Sequence, residues 1–217
     1  MTKYDLARHP TSSTVKMMAR LLERITKTND KRLNKFPKPG SPFVPFYGQS
    51  LPTISIDAYL IRILKYCPCS NETFLSLLVY FDRLTASGLR INSYNIHRLL
   101  IAGLMVSTKY FSDIFYTNTR YAKVGGIPVP ELNALELAFL KANQFELHIT
   151  VPELERYGDQ LLDHYVREQE RIHQNTKRFD ASAATQCSQE TGPFLTFDPN
   201  VCPTYRHSWH AGLSIPS

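Results

Sequence analysis

From Asn92 to Asp113 the chain reads NSYNIHRLLIAGLMVSTKYFSD, and after one basic turn it is apolar on every side until Lys109. A helix with no polar face must be covered all round, since any exposed side would leave apolar surface in water. Ala102, Gly103 and Ser107 are scattered among Leu99, Leu100, Ile101, Leu104, Met105 and Val106. These small residues are gaps through which other helices can approach the backbone. Asn92 or Ser93 can cap the first turn, and Lys109 falls where the carbonyl end of a helix favours a cation. A chain built on such a stretch wraps other helices around it.

Amphipathic segments suited to that wrapping lie on either side. Val15, Met18, Leu22 and Ile25, widened by Met17 and Leu21, form the apolar stripe of a helix over about 13–28. The ten or so residues before it are expected to be mobile. Prolines 37, 39, 42, 45 and 52 then deny a helix its hydrogen bonds. This extended connector carries Phe43, Phe46 and Tyr47, which are costly to leave in water and should lie along the domain. Ser55 and Asp57 open a helix that buries Ile56, Tyr59, Leu60, Ile63 and Leu64. Phe74, Leu77, Leu78 and Phe81 mark the next, which Gly88 stops. Beyond the central stretch, Gly125-Gly126 makes a turn. Pro128 and Pro130 open a helix whose buried residues are read as Leu132, Leu135, Leu137, Phe139 and Leu140. Thr150-Val151-Pro152-Glu153 fits a capping box for a last helix fading near Arg171. From about Gln174 the sequence is polar and Ser/Thr-rich and reads as a disordered tail, with Phe194, Phe197, Tyr205 and Trp209 as aromatics able to dock. No segment alternates convincingly, so the fold class is all-α. The expected organisation is an N-terminal helix and connector over 1–52, a helical domain over 53–172 and a tail over 173–217.

Composition narrows the function classes. No run reaches the roughly 18 to 20 apolar residues of a membrane-spanning helix, and the N-terminal MTKYDLARHPTSST has no apolar signal region. The four cysteines suggest no disulfide scaffold. These features point to a soluble protein of a reducing compartment, cytoplasm or nucleus. The net charge of +6 raises nucleic acid as a partner. It is disfavoured, because Lys and Arg are spread over many segments and the dense run from Lys27 to Lys38 carries a single aromatic, Phe36, rather than an interleaved series.

Catalysis has no visible home. The sequence contains no GxSxG, no HExxH and no glycine-rich phosphate loop. Cys67 and Cys69 flank a proline, and Cys202, His207 and His210 lie close together near the C-terminus. Neither group has a recognisable zinc spacing, so no metal and no cofactor are expected. Asp82, beside Arg83 in LLVYFDRL, is a charge in an apolar helix and calls for a partner. An ion pair with a neighbouring arginine, Arg62 being the candidate, is read ahead of a ligand role. Lys109 and Glu136 stand open at this stage: each fits a solvated helix end as well as it fits a contact.

The stretch INSYNIHRLLIAGLMVSTKYFSD, followed by YTNTRYAKVGGI and ELNALELAFLKANQFEL, resembles the cyclin box of the P-type (P/U-type, phosphate-signalling) cyclins over about residues 53–165. The resemblance implies a single five-helix cyclin box with flanking N- and C-terminal helices, the box helices falling at about 54–66, 72–86, 93–112, 116–123 and 130–144. It implies a non-catalytic regulatory subunit that binds and activates a cyclin-dependent protein kinase at its PSTAIRE-type helix. The kinase-contacting lysine and glutamate of the family match Lys109 and Glu136, and its apolar contact positions match Tyr110, Leu140, Phe145 and Leu147. Asp82 matches the family's buried aspartate. Two departures stand out. SIDAYLIRIL offers no clear equivalent of that aspartate's usual arginine, and Arg98 occupies a position that is leucine in mitotic cyclins. With no MRAIL sequence present, the mitotic hydrophobic docking patch does not transfer. A cyclin-fold adaptor that binds nucleic acid or transcription machinery without activating a kinase is the alternative.

Overall fold

The computed structural model describes residues 3–32 and 36–187, with side chains through residue 174. By their internal contacts, residues 1–173 form one unit and residues 174–217 a second. Seven α-helices appear among the described residues: α1 (Thr11–Asp30), α2 (Ile56–Tyr66), α3 (Asn71–Ala86), α4 (Ile96–Phe111), α5 (Asn118–Gly125), α6 (Val129–Ala142) and α7 (Val151–Cys187). There is no strand among these residues, and none of the helices is long and apolar enough to cross a membrane. The fold is all-α.

The helix ends follow from local chemistry. Ser55 Oγ accepts from the Ala58 N–H at 3.2 Å and Thr117 Oγ1 from the Arg120 N–H at 3.4 Å, capping α2 and α5. Gly126, at φ 71°, takes the left-handed conformation that closes α5, and the Ile127 N–H reaches back to the Ala122 carbonyl. α4 starts later than the expected residue 93. Asn95 Oδ1 accepts from the Asn92 N–H and Asn92 Oδ1 from the Tyr94 N–H, so these amides build a turn before the helix rather than cap it.

α4 is the axis. Leu99 through Thr108 are all buried, as an unbroken apolar circumference requires. α3 and α6 close on it at Gly103, where a Cβ would stand 2.6 Å from Leu77 Cδ2 and 2.9 Å from Phe139 Cζ. The Phe139 ring meets Tyr80 of α3 edge-on at 6.0 Å and Phe46 of the connector at 6.4 Å. Phe46 is fully buried and Phe43 nearly so, and the Tyr47 hydroxyl donates to the Arg90 carbonyl. The connector therefore lies on the domain.

Three further expectations change. The N-terminal residues are anchored: Tyr4 is only 2% exposed. Thr14 Oγ1 donates to Asn71 Oδ1 at 2.9 Å, so its 2.7 Å bond to Tyr4 is donated by the phenol. The Tyr4 N–H donates to Asp159 of α7, and the ring lies where a Cβ on Gly158 would be only 2.5 Å from it. Burial pushes the phenol above its ordinary pKa. One docked aromatic has no period, which is why pattern reading missed it. Leu137 of α6, expected inside, is 47% exposed. The last helix runs to Cys187 rather than fading near Arg171 or giving way at Gln174. Phe194, Phe197, Cys202, Tyr205, His207, Trp209 and His210 lie outside the described residues.

Because Leu104 is fully buried at the centre of α4, Leu104→Ala should lower stability by about 2 to 5 kcal/mol through loss of contacts and cavity formation. Chemical denaturation gives the measurement. A midpoint shift no larger than that of an exposed substitution would remove α4 from the core.

Candidate protein-interaction face

α4 ends at the surface in Lys109, and α6 runs alongside with Glu136. Lys109 Nζ donates to Glu136 Oε1 at 2.7 Å, the side chains being 28% and 20% exposed. The second carboxylate oxygen accepts from Asn118 Nδ2 of α5 at 3.0 Å, and the same amide reaches Asn133 Oδ1 at 2.8 Å. Glu136 is thus held on both oxygens while Lys109 keeps two N–H donors for a partner. Sequence reasoning missed Asn118 and Asn133, since three helices must meet before these amides have a role. Asn133 does lie three residues before Glu136, on the same helical face.

Apolar side chains stand on the same elements. Tyr110 is 45% exposed, with its ring set edge-on to Phe111. On α6, Leu132, Leu135 and Phe139 turn inward and leave Leu137 and the half-buried Leu140 on the side of Glu136. α6 ends in a Schellman motif: the Gln144 N–H donates to the Lys141 carbonyl and the Phe145 N–H to the Leu140 carbonyl at 2.8 Å. That closure brings Phe145 back to Leu140. Gln144 and Phe145 both have positive φ, 57° and 58°, and a bulky residue there is uncommon. Phe145 is held outward, 61% exposed. Leu147 is half-buried two residues on, its carbonyl accepting from the Tyr80 hydroxyl at 2.7 Å. Arg83 donates to the Glu146 and His148 carbonyls. Tyr80 and Arg83 therefore fix the segment that presents Phe145, a role no sequence spacing indicated. The loop after α4 adds Ile114 and Phe115, 81% and 53% exposed, which the sequence reading also left out.

Asp82 requires a correction. It is exposed and forms no ion pair among the described residues. Its Oδ2 accepts from the Tyr157 hydroxyl of α7 at 2.8 Å. Arg62 donates instead to the Lys123 carbonyl at the end of α5, where a cation is favoured. The reason lies in helix placement: Asp82 is on the edge of α3 that faces α7, away from α2. It borders a cavity of about 440 Å³ lined by Leu22, Ile25, Leu78, Tyr157 and Leu161. Burial, then the hydrogen bond and charge of Asp82, push the Tyr157 phenol up to about 12. Arg98 pairs with Glu131 at 2.8 Å and ties the start of α4 to the start of α6.

Cys67 and Cys69 are free thiols that burial pushes above their ordinary pKa, Cys69 up to about 12. Among the described residues, no group of His, Cys, Asp and Glu is arranged to hold a metal ion.

An all-α unit built round a buried central helix, with a lysine–glutamate device at its surface, defines the class. A cyclin profile matches residues 12–147, and this chain belongs to the cyclin family. Within the family it is of the P/U type. It is 47% identical over 163 residues to the PHO85 cyclin-like protein psl1 of Schizosaccharomyces pombe, covering 70% of this chain and 67% of that one. It is 42% identical over 178 residues to PHO85 cyclin-7 of Saccharomyces cerevisiae, covering 72% of this chain and 62% of that one. Cyclin-U4-1 of Arabidopsis thaliana is 44% identical over 141 residues, or 64% of this chain and 69% of its own length.

With Asp82 exposed and bonded to one phenol, Asp82→Ala should cost about 0.5 to 1.5 kcal/mol. Breaking a buried ion pair would cost about 3 to 5 kcal/mol. Denaturant titration of Asp82→Ala and Tyr157→Phe separates the two, and a loss in the upper range would restore a buried charge.

Proposed function

We propose that this cyclin is a non-catalytic regulatory subunit that binds and activates a cyclin-dependent protein kinase through the face carrying Lys109 and Glu136. The observation that carries the reading is the Lys109–Glu136 pair, clamped by Asn118 and set on elements that expose Tyr110 and Phe145 and leave Leu140 half-buried. A charged pair with spare donors is suited to the backbone of a partner helix, and aromatic and leucine side chains supply the apolar core an interface needs. Leu147, half-buried two residues after Phe145, packs against the core. Relatives named PHO85 cyclins support a kinase as the partner. The element met on the kinase is its PSTAIRE-type helix. Pressing that helix inward favours the kinase's own lysine–glutamate ion pair, which positions ATP phosphates. The pairing operates in the cytoplasm, the nucleus or both.

The pair's members matter to binding more than to folding. Removing one partner of a desolvated interface pair costs about 2 to 5 kcal/mol, whereas a surface pair in the free protein is worth about 0 to 1 kcal/mol. Lys109→Ala and Glu136→Ala should each melt near the parent temperature. Each should weaken association with a PSTAIRE-type kinase at least tenfold, or about 1.4 kcal/mol, in calorimetry. Kinase activity at sub-saturating cyclin should fall with it. Parent-like affinity in both variants would return the pair to the status of a solvated helix end.

A further inference from the structure

α1 buries one face in the domain and turns another outward that is almost wholly cationic. Lys16, Arg20, Arg24, Lys27 and Lys31 are all exposed. At 3.6 residues per turn they fall within an arc of about 80°, and the rise along the helix from Lys16 to Lys31 is about 22 Å. This is one straight stripe, not a scatter of charge. Lys16, Arg20, Lys27 and Lys31 have no carboxylate partner among the described residues. Arg24 pairs with Glu168 of α7 at 3.0 Å, and Arg171 approaches the same carboxylate at 3.9 Å. Glu168 is thereby neutralised, and the remaining acidic groups beside the stripe are Glu23 and, at the Lys16 and Arg20 end, Asp57. Arg20, Arg24, Lys27, Lys31 and Ile172 line a groove of about 500 Å³ between α1 and α7. Ile172, half exposed there, adds an apolar wall.

We propose that the stripe Lys16–Arg20–Arg24–Lys27–Lys31 is a docking site for an extended acidic segment of a protein partner, with its negative side chains at alternate positions. The spacing selects this occupant. Residues four apart on a helix rise about 6.0 Å, and residues two apart on an extended chain advance about 6.6 Å. Alternate carboxylates or phosphorylated side chains therefore keep step with Lys16, Arg20 and Arg24 and stay near Lys27 and Lys31. About seven extended residues cover the stripe. Single-stranded nucleic acid has negative charge too, but binding it draws on aromatic faces for base stacking. Of the rings beside the stripe, Tyr165 already has the Arg20 guanidinium over it at 5.1 Å, and the His164 imidazole is engaged with Arg24 at 3.2 Å. The stripe stands on α1, which packs on α2 and α3, whereas the face proposed for the kinase is on α4 and α6. The two readings stand or fall separately.

Fluorescence anisotropy on the full chain tests the site, using a fluorescein-labelled eight-residue peptide of alternating glutamate and serine. Saturable binding is expected in low salt, weakening at least tenfold when salt is raised from 50 to 300 mM. Lys16→Gln/Lys27→Gln/Lys31→Gln should weaken it at least tenfold. Arg8→Gln/Lys65→Gln/Lys123→Gln, which removes the same charge elsewhere, should stay within twofold of the parent. A peptide with its four glutamates in one block should bind at least threefold more weakly. The proposal is overturned by absent saturation, by equal loss in both triple variants, by equal binding of the blocked peptide, or by an eight-nucleotide single strand that binds more tightly at the same lysines.

Discussion

The close approach of three helices at Gly103 is the constraint on which the rest of this protein depends. With no Cβ at that position, Leu77 of α3 and the Phe139 ring of α6 meet the backbone of α4 from separate helices. Phe139 in turn receives Tyr80 and Phe46, so one ring joins α3, α6 and the connector to the central helix. Cores at this density tolerate neither voids nor added volume, and interlocking of this kind fixes where each helix ends at the surface.

That placement gathers on one surface residues unremarkable one by one. Lys109 and Glu136 are 27 residues apart and meet because α4 and α6 share a core. Asn118 fixes the carboxylate from a third helix, and Tyr80 and Arg83 hold the segment bearing Phe145 from a fourth. Preorganisation of this sort lowers the ordering cost on binding, which is where affinity between proteins is commonly lost. The same closure of α6 holds Phe145 at positive φ with its ring 61% exposed.

The outer helices divide different work. α7 anchors the N-terminus through Asp159 and Gly158, and Tyr157 bonds Asp82. α1 carries on its outward side the greatest concentration of cations on any one helical face described above. Burial on one side and charge on the other are the ordinary outcome of amphipathicity. A single-sign stripe with few internal anions is not, because repulsion along it is relieved only by counterions or a partner.

The sequence by itself determined the all-α class and the burial of α4, because an apolar circumference admits no other placement. It also determined the amphipathic faces of α1 and α2 and the turn at Gly126, where local periodicity or backbone freedom decides. Lys109, Glu136, Tyr110, Leu140, Phe145 and Leu147 were legible as a set only through resemblance to the cyclin box, since spacing left the charged two open between a solvated helix end and a contact. Tertiary structure alone decided the partner of Asp82, the docking of Tyr4, the exposure of Leu137 and the clamp from Asn118. Each depends on which helix lies opposite, a long-range fact to which period and propensity are blind. A hydrogen bond such as that between Tyr157 and Asp82 leaves no trace in the residues around either partner.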